Sequence, residues 1–311
     1  MNNNLVVVIA GPTASGKSSL AIDLAKNVNG VVINCDAMQI YKDIPIIAAT
    51  PSINDKKMVE HRLYEIYDCS KRGNVVEWLD LCVREIKDLW KNNMVPIVVG
   101  GTGMYIDALI NGVTPIPEVD ECVRQEVQSL FKEKGLGFLY NYLTSIDAEM
   151  VQRLSENDKT RITRAVEIYK ATGKKLSDWY KVPMIKKIPE AKFLVVKIVP
   201  DLDDIEKRCK IRLDKMVNEL GVLKEIELLV RKNLSADLPA MKALGVPELR
   251  KFVDGELSLN EALDLAKLHT RQYAKRQRTW LKNKLVADIT FDKAYDGQDN
   301  YLQQIVNTIN W

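Results

Sequence analysis

The amino-acid sequence predicts an α/β fold, with a parallel β-sheet flanked by helices and a helical insertion. Short apolar, β-branched runs alternate along the chain with amphipathic stretches, a pattern typical of parallel strands joined by helices. A glycine-rich, phosphate-binding sequence directly follows the first of these runs. The alternation stops at residues 114–117, Thr-Pro-Ile-Pro, and a helical pattern follows. We therefore expect a core of residues 1–116 and 189–311 and a helical insertion of residues 117–188.

Apolar runs mark the predicted strands, and amphipathic stretches connect them. The strands are expected at residues 5–10, 31–35, 63–66, 95–99, 193–199 and 287–291. Residues 17–28 and 76–90 are expected to form amphipathic helices. In the insertion, a helix should begin at Asn157 or Asp158, either of which can cap its N-terminus, and should end at residues 172–173, Thr-Gly.

Composition and charge exclude several classes of protein. With 311 residues and 46% hydrophobic content the chain can bury a large core, and a net charge of +3 does not by itself indicate a polyanionic partner. The five cysteines lack Cys-x-x-Cys spacing, which argues against a disulfide framework and against a zinc site. No apolar run approaches a membrane span, and the polar start leaves no room for a signal peptide. We expect a cytoplasmic protein with neither a membrane partner nor an obligate protein partner.

The most specific motif is a phosphate-binding loop at residues 11–18, with the spacing Gly-x-x-x-x-Gly-Lys-Ser. Its glycines let backbone N–H groups turn toward an anion, Lys17 adds a positive charge, and the Ser18 hydroxyl can bind a phosphate-bound Mg²⁺. An ordinary glycine-rich turn would need neither the strand before it nor the helix after it. The motif predicts a P-loop NTPase-like core. The residues expected to bind a phosphate or diphosphate are Gly11, Thr13, Ala14, Ser15, Gly16, Lys17 and Ser18.

Two further features follow predicted strands, whose carboxyl ends share one edge of a parallel sheet. Asp36 follows the second strand and can bind metal or accept a proton there, although a role in capping the next turn explains it as well. The strand at 95–99 ends in Gly-Gly-Thr-Gly, without the carboxylate that phosphoryl-transferring P-loop proteins usually place there. This argues against an ATPase or GTPase. The glycines predict close approach of the backbone to a ligand, whereas a simple turn would need one glycine.

The segment 269–284 holds six cationic residues and no acidic one. Four of them fall at helical positions i, i+4, i+7 and i+11 and would form one basic stripe: Arg271, Lys275, Arg278 and Lys282. Solvated charged faces normally mix signs, so the basic stripe, with Tyr273 and Trp280 nearby, predicts a polyanion-binding surface. The alternative is that part of the stripe packs on the core through its aliphatic stems. A second basic cluster opens the predicted helix of the insertion: Lys159, Arg161 and Arg164.

Together these motifs resemble the tRNA dimethylallyltransferase family, in collinear order over most of the chain. The matching segments are residues 11–18, 36–41, 100–105, 157–162, 172–177, 208–216 and 270–277. The resemblance implies transfer of a dimethylallyl group from dimethylallyl diphosphate to N6 of an adenosine in tRNA, which would make the protein a prenyltransferase. That adenosine is the one immediately 3′ of the anticodon, position 37, in tRNAs that read codons starting with U. The product would be N6-(dimethylallyl)adenosine.

The resemblance also implies roles for particular residues. Asp36 would orient or deprotonate the adenine N6 amine, while Lys17 and Ser18 would bind the diphosphate and its Mg²⁺ and Arg212 would contact the diphosphate. A diphosphate that leaves, rather than one that donates a phosphoryl group, suits a P-loop without the acidic residue. The adenine must flip out of the stacked anticodon loop, and the diphosphate would enter from the opposite side of a channel. Contacts to the tRNA anticodon stem-loop are expected from Asp36, Ala37, Met38, Gln39, Thr102, Arg124, Asp158, Lys159, Thr160, Arg161, Ile162, Arg271, Lys275 and Arg278.

The sequence departs from the family pattern at three places. Ala37 stands where the family commonly has serine, and residues 48–51 read Ala-Ala-Thr-Pro in place of Thr-Ala-Lys-Pro, so a hydroxyl and a lysine are absent. Residues 245–247 read Gly-Val-Pro in place of Gly-Tyr-Lys. No zinc-finger extension follows Trp311, which leads us to expect a bacterial-type enzyme.

Three other functions remain open at the level of sequence. An adenylate isopentenyltransferase shares the P-loop core and the chemistry but acts on free adenine nucleotides, which need neither the basic stripe nor the insertion. A small-molecule kinase is supported by the phosphate-binding loop alone. A non-catalytic RNA-binding protein would leave that loop without a use.

Overall fold

The computed structural model describes residues 4–309, apart from the side chain of Asp299. The chain forms two compact units. One consists of residues 1–110 and 187–311, and the other consists of residues 111–186. Each unit has a hydrophobic core of its own. Within the described part of the chain, no helix is long and apolar enough to cross a membrane.

The larger unit is built on a parallel sheet that has six strands within residues 4–309, in the order β3-β2-β4-β1-β5-β6. The strands are β1 Leu5–Ala10, β2 Gly30–Asn34, β3 His61–Arg62, β4 Val95–Gly100, β5 Lys192–Ile198 and β6 Ile289–Phe291. Every pairing between neighbouring strands is parallel, with Val7 opposite Ile97 on one side of β1 and opposite Leu194 on the other. The predicted fold class is therefore confirmed.

Helices cover the sheet and form the remainder of this unit. They are α1 Lys17–Val28, α2 Ile53–Met58, α3 Val75–Lys91, α4 Gly103–Asn111, α9 Leu202–Asn218, α10 Val222–Arg231, α11 Val246–Val253, α12 Leu259–Asn283 and α13 Asp299–Ile309, with a 3₁₀ turn at Ala240–Lys242. Leu20 and Leu24 of α1 are fully buried against Val7 and Ile9 of β1 in one apolar cluster. This packing holds the start of α1 at the carboxyl edge of the sheet, because the strand runs directly into the loop that precedes the helix.

Predicted and observed elements agree except at one strand. The strand predicted at residues 63–66 is wrong, since β3 covers only His61–Arg62. Leu63 and Glu65 have positive φ angles of 63° and 55°, and an L-residue in the left-handed region cannot continue a strand. The apolar pattern arose instead because Leu63 is buried although the chain bends there.

The smaller unit is helical, as predicted. Its helices are α5 Glu121–Ile146, α6 Ala148–Val151, α7 Lys159–Thr172 and α8 Leu176–Trp179. The chain leaves helical geometry inside α5 at Gly135, where φ is 79°. Asp158 caps α7 by accepting a hydrogen bond from the Arg161 backbone N–H, and Gly173 ends the helix with φ at 68°. Both predicted ends of this helix are confirmed.

Candidate active site

The phosphate-binding loop joins β1 to α1, as its motif predicts. The chain turns at Ala14 and Gly16, which have φ angles of 62° and 82°. A Cβ on Gly16 would lie 2.2 Å from the Tyr295 carbonyl oxygen, so no other residue fits there. The Tyr295 backbone N–H donates to the carbonyl of Ser15 at 3.0 Å, which ties the loop to the segment after β6.

Three backbone N–H groups of the loop donate hydrogen bonds to other groups of the protein. Gly11 donates to Gly100 at 3.3 Å, Ser15 to Pro12 at 3.3 Å, and Thr13 to the Gln277 side chain at 3.0 Å. Among the described residues, no protein acceptor is recorded for the N–H groups of Ala14, Gly16, Lys17 and Ser18. These four groups, at the N-terminus of α1, are placed to bind an anion.

Lys17 carries the charge of the loop. Its Nζ donates to the Pro12 carbonyl at 3.2 Å. Burial lowers the pKa of Lys17 from 10.5 to about 8; the Asp36 carboxylate raises it and the Arg212 guanidinium lowers it. A neighbouring anion would restore the charged form, so the free loop is poised to gain a proton when it binds one.

Arg212 reaches the same loop from α9, nearly two hundred residues away in sequence. Its Nη2 donates to the Thr13 hydroxyl at 2.6 Å. The side chain is partly exposed, and its charge acts on Lys17. Arg212 therefore lies where an anion held by the loop would find a second cation.

Asp36 lies beyond the end of β2, where it caps the next turn. Its Oδ1 accepts from the Met38 backbone N–H at 2.9 Å, which is a turn-capping contact. The fully buried Asn34 orients it by accepting from the Asp36 backbone N–H at 2.8 Å. The Asp36 charge also raises the pKa of Lys17 and, together with burial, raises the pKa of Tyr273 to about 12. Asp36 thus caps the turn and acts electrostatically on the phosphate-binding loop.

The glycines at the end of β4 and just after it are needed for packing within the protein. A Cβ on Gly100 would lie 1.9 Å from the Cys35 carbonyl oxygen, and one on Gly103 would lie 2.5 Å from the Trp280 ring. Each of these close approaches is to the protein's own backbone or side chains, and the predicted approach to a ligand stays a prediction. Thr102 accepts the Ala37 backbone N–H at 3.0 Å through its hydroxyl, which ties this turn to the segment that holds Asp36.

The loop at residues 44–51, which lacks the lysine of the family pattern, is held by side chains from outside it. The Gln39 side-chain amide donates to the carbonyls of Ala48 and Ala49 at 3.1 and 2.7 Å. The Glu225 carboxylate, on α10, accepts the backbone N–H groups of Ile46 and Ile47 at 2.7 and 2.9 Å. Burial raises the pKa of Glu225 despite these bonds. These bonds hold the loop in place although residues 48–51 lack the lysine.

The basic stripe on α12 is less uniform than predicted. Arg271 pairs with Glu206 of α9 at 2.7 Å, and Arg278 donates to the Pro200 carbonyl at 2.9 Å and pairs with Asp201 at 3.2 Å. The stripe therefore meets acidic residues from the neighbouring helix, which the sequence of α12 cannot show. Lys275 and Lys282 are exposed, and no ion pair is recorded for either within residues 4–309.

A cleft of about 380 Å³ lies beside the C-terminal half of α12. Four cationic and two acidic side chains contribute to its lining. Its residues are Lys197, Val199, Asp201, Arg278, Lys282, Thr290, Asp292 and Lys293. The excess of positive charge makes it suitable for an anion.

In the smaller unit the predicted tRNA-binding residues differ in accessibility. Arg161 is 71% exposed while it pairs with Asp158, and Lys159 lies 3.8 Å above the ring of Phe131. Thr160 is exposed, and Arg124 is partly exposed 3.7 Å from Glu121. Arg164 pairs with Glu167 at 3.5 Å. Ile162 is fully buried in this unit's core, so its side chain packs inside the unit and is not accessible for a contact with tRNA.

Sequence reasoning missed Gln277, Asn34 and Glu225, which hold the loops of the site in place. Each is a buried polar residue whose partners are backbone groups. Gln277 offered a signal, because it follows Tyr273 by four residues and precedes Trp280 by three on one helix. The other two offered none, since a polar residue among apolar ones is equally compatible with a turn or with an exposed position.

Clustered metal ligands are lacking in the part of the chain that the structure describes. Within the described residues, no group of three or more His, Cys, Asp or Glu side chains could hold a metal ion. The Ser18 side chain is exposed in the first turn of α1, beside the free N–H groups. Mg²⁺ commonly binds through substrate phosphates and water with few protein ligands, and Ser18 fits that pattern.

Comparison with known proteins agrees with this architecture. A family model described as IPP transferase matches residues 39–284. A tRNA dimethylallyltransferase of Zymomonas mobilis is 41% identical over 298 residues, which cover 94% of each chain. One of Rickettsia massiliae is 36% identical over 96% of this chain and 82% of its own.

Solved structures give the same result. A full-length tRNA isopentenylpyrophosphate transferase from Bacillus halodurans matches with a TM-score of 0.71 and 31% identity, over 99% of this chain and 96% of its own. A eukaryotic dimethylallyltransferase, described as acting on tRNA, matches with a TM-score of 0.83 and 29% identity, over 99% and 78% respectively. The chain therefore belongs to the IPP transferase family, the family of the tRNA dimethylallyltransferases that it matches.

Proposed function

We propose that this protein is a tRNA dimethylallyltransferase that modifies N6 of the adenosine at position 37, next to the anticodon, in tRNAs reading codons that start with U. One observation carries the proposal. The phosphate-binding loop, with Lys17 and Arg212, lies within electrostatic reach of the Asp36 carboxylate. A diphosphate and an amine that must lose a proton would therefore meet suitable partners in one site. The names of the relatives support the reaction class.

The proposed reaction is a substitution at the first carbon of the dimethylallyl group. The bond from that carbon to the adenine N6 forms, and its bond to the diphosphate oxygen breaks, so that the electron pair leaves with the diphosphate. Lys17, Arg212 and the free N–H groups of residues 14 and 16–18 stabilise the departing charge. Asp36 accepts the proton that N6 loses, which yields N6-(dimethylallyl)adenosine.

We propose Mg²⁺ as the metal, which the Ser18 hydroxyl would help to hold. The exposed Ser18, and the lack of a cluster of three potential ligands among the described residues, fit an ion that arrives with its substrate. When bound, Mg²⁺ neutralises diphosphate charge. Lys17, Arg212 and the loop N–H groups bind and orient the same anion from the protein side.

For tRNA, we propose that Asp36, Ala37, Met38, Gln39 and Thr102 surround the flipped adenosine. Further contacts to the anticodon stem-loop would come from accessible residues of the smaller unit and of α12: Arg124, Asp158, Lys159, Thr160, Arg161, Arg271, Lys275 and Arg278. Arg278 is held by Pro200 and Asp201, so it would present one side of its guanidinium at the cationic cleft. We place the reaction in the cytoplasm, in keeping with five free cysteines.

The test is incorporation of label from dimethylallyl diphosphate into unmodified tRNA, with AMP in parallel. We expect label at the adenosine 3′ of the anticodon and none in AMP. Transfer to AMP alone would favour the adenylate enzyme, and consumption of ATP would favour a kinase. Binding of tRNA without any transfer would indicate a non-catalytic RNA-binding protein.

Two variants locate the diphosphate site. Lys17→Ala and Ser18→Ala should weaken diphosphate binding and reduce the Mg²⁺ dependence, while tRNA binding stays within about twofold because phosphate contacts on other surfaces are unchanged. Ser19→Ala is the matched control, since Ser19 is the next residue of α1 and is also exposed. Equal behaviour of Ser18→Ala and Ser19→Ala would remove Ser18 from the site.

A further inference from the structure

Helix α12 presents one face to the candidate active site. Tyr273, Gln277 and Trp280 occupy this face at positions i, i+4 and i+7. Burial and the Asp36 charge raise the pKa of the Tyr273 hydroxyl, and the Trp280 ring packs on Gly103. Gln277, between them, is 7% exposed. A glutamine so deeply buried needs partners for its amide.

Both ends of the Gln277 amide are bonded to backbone groups of the site. Its Oε1 accepts the Thr13 N–H at 3.0 Å, and its Nε2 donates to the Gly101 carbonyl at 2.9 Å. The fit is tight, because a Cβ on Gly101 would lie 2.3 Å from that Nε2 and 2.8 Å from the Gly11 carbonyl oxygen. Gln277 therefore joins the phosphate-binding loop to the turn after β4.

The residue at the other end of each bond is itself connected to a group with a proposed role in the reaction. On the diphosphate side, the Thr13 hydroxyl accepts from Arg212 at 2.6 Å. On the adenosine side, Gly101 precedes Thr102, whose hydroxyl accepts the Ala37 N–H next to Asp36. A continuous series of bonds thus runs from Arg212 through Gln277 to the segment that holds Asp36.

We propose that Gln277 is a positioning residue that sets the distance between the diphosphate-binding groups and Asp36. The proposal rests on the proposed function. The position requires a side chain that accepts on one side and donates on the other, and a primary amide does both. Since reacting groups must be held to within a fraction of an ångström, losing this connection should slow the chemical step more than it weakens the binding of either substrate.

The first experiment replaces Gln277 with methionine, which has a similar shape and cannot form either bond. The matched control is Gln272→Met, the same change at an exposed position of the same helix. We expect kcat to fall by about 10- to 100-fold in Gln277→Met, with KM for both substrates within about threefold of wild type, whereas the control keeps its kcat. Equal kcat for the two variants would overturn the proposal.

A second variant keeps the test decisive if Gln277→Met fails to fold. In Gln277→Glu, an ionised carboxylate can still accept from Thr13 but cannot donate to Gly101, whereas the protonated carboxyl can do both. The ratio of its kcat to that of wild type should therefore increase as the pH is lowered. A ratio that is independent of pH would count against the proposal, since a purely space-filling role has no such dependence.

A double-mutant cycle tests the route through Thr13. Thr13→Ala removes the hydroxyl that binds Arg212, so Gln277→Met should cost less kcat in that background than in wild type. Losses that multiply independently would refute the connection. Failure of the proposed function would look different, because wild-type protein itself would transfer no label to tRNA.

Discussion

The depressed pKa of Lys17 makes diphosphate affinity depend on pH in a range where ordinary lysines stay charged. With a pKa of about 8, about nine in ten molecules of free protein carry the charge at pH 7 and about one in eleven at pH 9. If the bound anion requires the charged form, the free protein must take up a proton on binding at the higher pH. The affinity for the diphosphate should therefore fall as the pH rises through about 8, by about tenfold between pH 7 and pH 9.

The assay is the dissociation constant of inorganic pyrophosphate, measured by titration calorimetry at several pH values between 7 and 9. Calorimetry in buffers of different ionisation enthalpy would also count the proton taken up. Lys17→Arg is the matched control, because an arginine stays protonated throughout this range and its binding reports only the titration of the ligand. If wild type and Lys17→Arg changed in parallel, to within about twofold, Lys17 would be fully charged in the free protein and the reasoning would fail.

The remaining predictions concern the proton acceptor, the tRNA surface and the strand tip. Asp36→Asn should lower kcat by about 10²- to 10⁴-fold in the label-transfer assay with little change in either KM, and near-normal turnover would remove Asp36 as the base. Replacing Lys275 and Lys282 with glutamine should flatten the log–log salt dependence of tRNA binding by about one to two units, whereas an unchanged slope in a folded variant would exclude them from the interface. Gly100→Ala should destabilise the protein by about 1–3 kcal/mol in denaturant unfolding, because the added methyl group would meet the Cys35 carbonyl. Gly137→Ala, where a Cβ meets nothing within 4 Å, should be neutral or stabilising by about 0.5–1 kcal/mol, and the same sign for both glycine variants would contradict the packing argument.

Local pattern was sufficient for most of the secondary structure. The first strand and the first helix occur at the residues predicted, and the insertion helix begins at Asp158 and ends at Gly173. These features depend on neighbours within one or two turns, which periodicity and capping residues describe directly. The strand predicted at 63–66 failed because positive φ angles at Leu63 and Glu65 turn the chain, and burial from a turn gives the same apolar pattern as burial from a strand.

The sequence by itself determined the parallel α/β architecture, the phosphate-binding loop and the family, because spacing and order along the chain carry that information. Tertiary structure alone decided which charges are already paired, as for Arg271 with Glu206 on another helix. Tertiary packing also lowers the pKa of Lys17 and lets Gln277 bond to loops more than 170 residues away in sequence. The physical reason is that hydrogen bonding and desolvation act through space, between groups that the chain brings together only when the sheet and its helices are packed.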